Sequence, residues 1–220
     1  MAAVVAPDGL VRSSIYEVLR QRIVTGRMAP GSTLSTRSVA LELGTSQMPV
    51  REALGRLAAE GAVEIRSKRR IVVPRMTVQR FEDLLRCREL LEPEAAVAAL
   101  DYIDAACLAR LELIDEAIGI ALANNDVDRY MQENYNFHFT IYRSSPCSTM
   151  SQLIETLWLQ FGPYMRVVYD SMHTVLLVDQ HQLAVSALRA KDAEKLRGAI
   201  RADIRDGMGL IGVNSFGTGS

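Results

Sequence analysis

The chain of 220 residues is short of cysteine, of aromatic side chains and of long apolar runs, and each shortage removes a class of protein. Cys87, Cys107 and Cys147 are odd in number and far apart, so they form neither a disulfide framework nor a CxxC metal site. A reducing cytoplasm is the compartment that fits. No uninterrupted apolar stretch reaches the roughly 18 residues of a membrane span. The opening segment, Met1 to Pro7, lacks the basic flank of a secretory leader. Secretion and membrane insertion are therefore disfavoured. Aromatic residues make up 6% of the chain against an apolar share of 49%, a globular composition that leans toward helix.

The net charge of -1 conceals a division near Arg75. Residues 1–75 carry 12 Lys and Arg against 6 Asp and Glu, whereas residues 76–220 carry 13 against 20. A basic module attached to an acidic body suits one part that approaches phosphates and another that stays off them. The expected division is a phosphate-approaching domain over residues 1–75 and a second domain over residues 76–220.

The most specific stretch runs from Gly44 to Leu54. Upstream, Val39, Ala40 and Leu43 recur at helical spacing, which predicts a short helix over 36–43, and Gly44 supplies the backbone freedom for a sharp turn. Pro49 fits the first turn of the next helix, about 48–60, where its missing N–H costs little. Val50, Leu54 and Leu57 face inward there, leaving Gln47, Met48 and Arg51 on the outer side of the N-terminal turn, where such a helix meets base edges. A preceding helix, capped at Ser13 or Ser14, carries Ile15, Val18, Leu19 and Ile23 as its apolar stripe. Beta-branched residues in 62–66 and 71–74 flank the basic tip Ser67, Lys68, Arg69, Arg70, which predicts a two-stranded wing that grips phosphates. Together these elements predict a winged helix-turn-helix.

Beyond Met76 the pattern is helical, with six helices expected at about 77–100, 104–123, 126–143, 148–171, 173–190 and 192–211, so the fold class is mainly α. Polar residues interrupt three of the apolar stripes. Asn134 and His138 lie one turn apart among Tyr130, Met131, Phe137 and Ile141. His181 falls between Leu177 and Ala184, and Asp203 between Ile200 and Ile204. Buried polar groups need partners. Two imidazoles, an amide oxygen and a carboxylate can satisfy one another by holding a divalent cation, with zinc first and nickel or manganese as alternatives. A metal-free hydrogen-bonded cluster around water or an effector is the other reading. Arg88 also falls on an apolar stripe, and Glu92, one turn on, is an internal partner for it.

Gly26, Pro30, Gly31 and Leu34, followed by Ser46, Pro49, Val50, Arg51, Glu52, Ala53, Leu54, Leu57, Glu60 and Gly61, form a pattern that resembles the GntR family of bacterial transcription regulators. The helical remainder, with Arg88, Leu91 and Glu92, resembles the FCD effector domain of the FadR-like subfamily, in its shorter, VanR-type branch. The resemblance implies DNA contacts from Arg37, Ser46, Gln47 and Arg51. Position 47 is commonly Arg in the family; the Gln found here pairs most naturally with adenine. It also implies a metal site in which Asn134 stands for an Asp, His138 and His181 for two His, and Asp203 for a third His. Arg88, with Arg143 or Arg166, is then expected to receive the acid group of a small organic effector.

The expected protein is a homodimer that sets two winged helices on a pseudo-palindromic operator in double-stranded DNA, commonly as a repressor relieved by its effector. Two alternatives make different demands. A metal-dependent hydrolase leaves the basic module unexplained and lacks an evident general base, and an acyl-CoA-type sensor needs no metal.

Overall fold

Helix α1 spans Asp8–Val24, and its Ile15, Leu19 and Ile23 are buried. It begins upstream of the expected cap at Ser13 or Ser14, because no proline lies between Asp8 and Ser14 to stop it. The computed structural model describes residues 8–67, 70–172 and 178–211. A two-residue strand, β1 (Thr33–Leu34), leads into α2 (Thr36–Glu42), which Ser35 and Ser38 close in a reciprocal capping box. Gly44 makes the turn at φ +62°, a conformation that costs glycine little, and α3 follows over Gln47–Ala59. The buried face of α3 is Pro49, Val50, Ala53, Leu54 and Leu57, and α3 packs on α1.

The wing consists of β2 (Glu64–Ser67) and β3 (Arg70–Val72), paired antiparallel with Ile65 opposite Ile71 and an irregularity before Ser67. The expected two strands are part of a three-stranded sheet in the order β1-β3-β2, in which Thr33 faces Val72 and Leu34 faces Ile71. A two-residue strand has no periodicity to read, and only its long-range partner defines it. Lys68 and Arg69 of the basic tip lie outside the described residues.

The second region is helical throughout its described residues. It comprises α4 (Val78–Ala99), α5 (Ala105–Ala123), α6 (Val127–Tyr142), α7 (Ser148–Phe161), α8 (Met165–Met172), α9 (Gln180–Ala190) and α10 (Ala193–Gly209). Side chains cap the N-termini of α4, α5, α6, α9 and α10: Thr77, Asp104, Asp126, Asp179 and Asp192. The single helix expected over 148–171 is two helices joined by a 3-10 turn, Gly162–Tyr164, where Pro163 has no N–H to continue the ladder. The helix expected over 173–190 begins at Gln180 in its described part, and residues 173–177 fall outside the described residues.

That 3-10 turn also joins the two regions. Gly162 sits so close to the end of α1 that a Cβ would meet Ile23 O and Val24 Cα at 2.6 Å, so any larger residue would force the regions apart. Tyr164 OH accepts a hydrogen bond from Met76 N–H at 2.5 Å. Arg20, buried on α1, donates to Tyr135 OH at 2.9 Å and lies 3.3 Å from Glu155, fixing α1 against α6 and α7. Trp158 is fully buried in the helical core beside Tyr135 and Phe139.

Candidate functional site

The outer face of α3 is built by its inner one. With Val50, Leu54 and Leu57 committed to the core, Gln47, Met48 and Arg51 must point to solvent, and Met48 is 67% exposed. Ser46 takes the N-cap position, and its side chain makes no cap hydrogen bond, so its hydroxyl is left for an outside acceptor. Arg37 and Arg51 are exposed and make no ion pair among the described residues. The internal partner conceivable for Arg51, Glu42, is held instead by Arg22 at 2.8 Å. Arg70 is exposed on β3. Unpaired arginines beside a helix N-terminus are what phosphate and base-edge contacts require.

In the helical region, α6, α9 and α10 bring His138, His181 and Asp203 to one point. His138 Nε2 lies 3.2 Å from Asp203 Oδ2 and 3.4 Å from His181 Nε2, and His181 Nε2 lies 3.5 Å from Asp203 Oδ1. All three donor atoms fall within 4.8 Å of one another. His138 and His181 are buried, while the Asp203 side chain keeps 25% exposure because it opens into a cavity. That cavity has a volume of about 240 Å³ and is walled mainly by apolar side chains.

The surrounding hydrogen bonds fix which nitrogen of His138 is free. Tyr142 OH donates its one proton to Glu92 Oε2 at 2.9 Å, so it can only accept from His138 Nδ1, 3.0 Å away. The network thus assigns the proton to Nδ1 and leaves a lone pair on Nε2. That lone pair faces a carboxylate oxygen and a second imidazole nitrogen. Such convergence is repulsive unless a cation or an added proton lies between them, and a divalent metal fits the donor set. Burial drives the Asp203 carboxyl upward, but His181, His138 and Arg88 outweigh it and hold it at about 2. Burial lowers His181, favouring the neutral imidazole a metal needs.

Arg88 lines this cavity, yet its guanidinium is engaged from within. Its Nε donates to Glu92 Oε1 at 2.5 Å, and its plane lies over Trp158 at 4.7 Å and Phe161 at 5.0 Å. Burial alone would lower the Arg88 pKa; the Glu92 carboxylate raises it. The internal pairing with Glu92 is therefore present, and Arg88 is not a free receptor for an acid. Arg143 and Arg166, expected beside it, do not line the cavity. Arg143 pairs with Glu155 and Tyr135, and Arg166 with Asp128. Their helix positions point them at the α1 side of the molecule, where carboxylates are available. Asn134 lines the cavity as expected, 6% exposed and without a hydrogen bond among the described residues.

Two cavity residues were not anticipated. Asp115 on α5 places a carboxylate 3.9 Å from His181 Nδ1, and Asp179, the N-cap of α9, lies beside it. Burial and the Asp179 charge push the Asp115 carboxyl up to about 6. The signal was available: Asp115 directly follows Ile114 on the buried stripe of Leu111, Ile114 and Ile118, as Asp203 follows its own stripe. Tyr142, between His138 and Glu92, was likewise legible only as an aromatic core residue. Its pKa is pushed well above the ordinary value by burial and by Glu92.

Residues 83–206 match the FCD domain, and residues 11–73 match the family described as bacterial regulatory proteins, gntR family. The chain is 28% identical over 196 residues to the HTH-type transcriptional regulator McbR of Escherichia coli, covering 88% of this chain and 89% of that protein. It is 30% identical over 188 residues to the gluconate operon transcriptional repressor of Bacillus subtilis, covering 80% and 74%. The solved structure of E. coli McbR/YncC superposes with a TM-score of 0.81 at 28% identity, covering 93% of this chain and 94% of that one. A putative GntR regulator from Rhodococcus sp. RHA1, 19% identical, shares the fold at a TM-score of 0.69. A helix-turn-helix with exposed arginines, joined to a helical domain of matching extent, makes this chain a member of the GntR family of bacterial transcription regulators, with a C-terminal FCD domain, and not an enzyme.

Proposed function

We propose that this regulator is a homodimeric repressor whose operator binding is set by a small ligand held in the cavity of its FCD domain, next to a divalent metal. The observation that carries the reading is the convergence of His138 Nε2, His181 Nε2 and an Asp203 carboxylate on the wall of a cavity. Zinc suits two imidazoles and a carboxylate, and manganese or nickel accepts the same donors. The carbonyl oxygen of Asn134 is offered as a fourth and weaker ligand. A metal there supplies the positive charge that a ligand carboxylate needs, since Arg88, the one basic residue lining the cavity among the described residues, is neutralised by Glu92. The acid effector expected from sequence thus binds through the metal, with Arg88 acting through Glu92, Tyr142 and His138 to hold the ligand imidazole in place.

On the DNA side, Gln47, Met48 and Arg51 read base edges in the major groove, while Arg37, Ser46 and Arg70, together with Lys68 and Arg69, contact phosphates. The two sites are coupled through α7, whose Trp158 and Phe161 touch Arg88 and which runs into the Gly162 contact with α1. A ligand alters operator affinity only by favouring one placement of α1 over another. Binding of operator fragments, followed by fluorescence anisotropy in zinc-loaded and chelated protein with and without short carboxylates, tests the reading. Zinc retention in the wild type and its loss in His138→Ala are expected; protein that takes up no metal would sink the metal part. A metal-free cluster, in which a proton replaces the cation between His138 and Asp203, predicts identical behaviour in chelated and loaded protein.

A further inference from the structure

Beside His181 the cavity wall is acidic, and among the described residues no Lys or Arg pairs with it. Asp115 and Asp179 place their carboxylates, with His181 Nδ1, within 4.8 Å of one another. Asp179 accepts the Gln182 N–H at 3.0 Å as the cap of α9. Asp115 makes no hydrogen bond among the described residues, and its carboxylate lies 3.9 Å from His181 Nδ1. The neighbouring Asp206 already receives Gln180 Nε2 at 3.0 Å. No lysine lines the cavity among the described residues, and the charge of Arg88 is spent on Glu92. The amide of Asn134, 6% exposed, also lines this cavity with no hydrogen bond among the described residues, so the polar lining is incomplete without an occupant.

A second metal is a poor match for this pair. When His181 Nε2 serves the triad, a neutral imidazole must keep its proton on Nδ1, which removes that nitrogen as a ligand. Two carboxylates remain, one of them partly used as a helix cap. Ionised carboxylates accept hydrogen bonds only, and removed from water they call for donors that bring positive charge. An ammonium group supplies several such donors. Ile118, Leu122 and Met208 line the same space and suit a short aliphatic body. We propose that the ligand of this cavity carries a protonated amine seated at Asp115 and Asp179, with its other end directed to His138, His181 and Asp203.

The proposal rests on the cavity being the effector site and names the chemical class that the site selects. The test is calorimetric titration of the full chain, zinc-loaded and zinc-stripped, with 4-aminobutanoate and 5-aminopentanoate against butanoate and pentanoate. In the wild type the amino member of each pair should bind at least about tenfold more tightly, the gain expected of a charge-assisted contact. Asp115→Asn and Asp179→Asn should erase that preference without changing zinc content, Asn being an equivalent helix cap at position 179. Equal or tighter binding of the plain acids, no binding by either class, or a preference that survives both variants overturns the proposal. So does a second equivalent of zinc that disappears in Asp115→Asn. If the wild type takes up no zinc, the metal reading fails separately, and the amine preference in the stripped protein still decides this one.

Discussion

The two regions of the molecule place function on opposite sides of their cores. The winged helix-turn-helix uses its core to present side chains outward: Val50, Leu54 and Leu57 are buried so that Gln47, Met48 and Arg51 are not. The FCD domain does the reverse, carrying His138, His181 and Asp203 inward on three helices that meet around a cavity. An outward site can change one residue at a time at little cost to the fold. An inward site is bound into hydrogen bonds that the fold itself needs, as the chain from Arg88 through Glu92 and Tyr142 to His138 demonstrates.

Substitution should separate the two cases. Glu92→Gln leaves the buried Arg88 without its carboxylate, and we expect a loss of about 3–5 kcal/mol in stability by chemical denaturation. A cost near that of a surface substitution would show that the relay is not structural. Next in size is the metal: at a free concentration about a hundred times its Kd, loading stabilises by about 2.7 kcal/mol. Thermal melts with and without chelator should differ in the wild type and coincide in His138→Ala. Arg51→Ala should weaken operator binding by about 1–3 kcal/mol at fixed salt while leaving the melting temperature unchanged, because Arg51 is exposed and makes no ion pair among the described residues. A matching loss of stability would erase the contrast between the regions.

The smallest effect belongs to the contact between them. Asp128 on α6 holds Arg166 on α8 and Arg27, just beyond α1. The hydrogen bond from Arg166 holds its carboxyl below the ordinary 3.8, against a modest opposing push from burial and with Arg27 adding to the fall. A lowered folded value stabilises above the unfolded one and is lost as pH falls through the folded one. Both regions should therefore loosen against each other in acid, below about pH 4. With half of the Asp128 side chain exposed, Asp128→Asn should cost under about 1 kcal/mol at neutral pH and should flatten the acid limb of a denaturation profile.

How much was legible differs between the regions for the same reason. Gly44, Pro49 and the spacing of Val50, Leu54 and Leu57 are local signals, so α2, the turn and α3 could be read to within a residue or so. Strand β1 could not, because its two residues are a strand only through Val72 and Ile71. In the FCD domain, His138 and His181 stood out because an imidazole on an apolar stripe is conspicuous. Asp115 on its stripe passed unnoticed among other α5 carboxylates. The break at Gly162 was hidden inside a strongly apolar run, although Pro163 marks the place. Arg143 and Arg166 carried the right charge for an acid effector, but nothing local tells an arginine which carboxylate it will meet.

Sequence alone determined the winged helix-turn-helix and the inward polar residues of three helices, since these follow from periodicity, turn chemistry and charge within short windows. Tertiary structure decided what those polar residues meet. It turned Arg88 toward Glu92, gave His138 its proton arrangement through Tyr142, and set Asp115 and Asp179 beside His181 on the cavity wall. Partners of this kind lie on different helices, and their distances are set by packing, which no window of sequence contains.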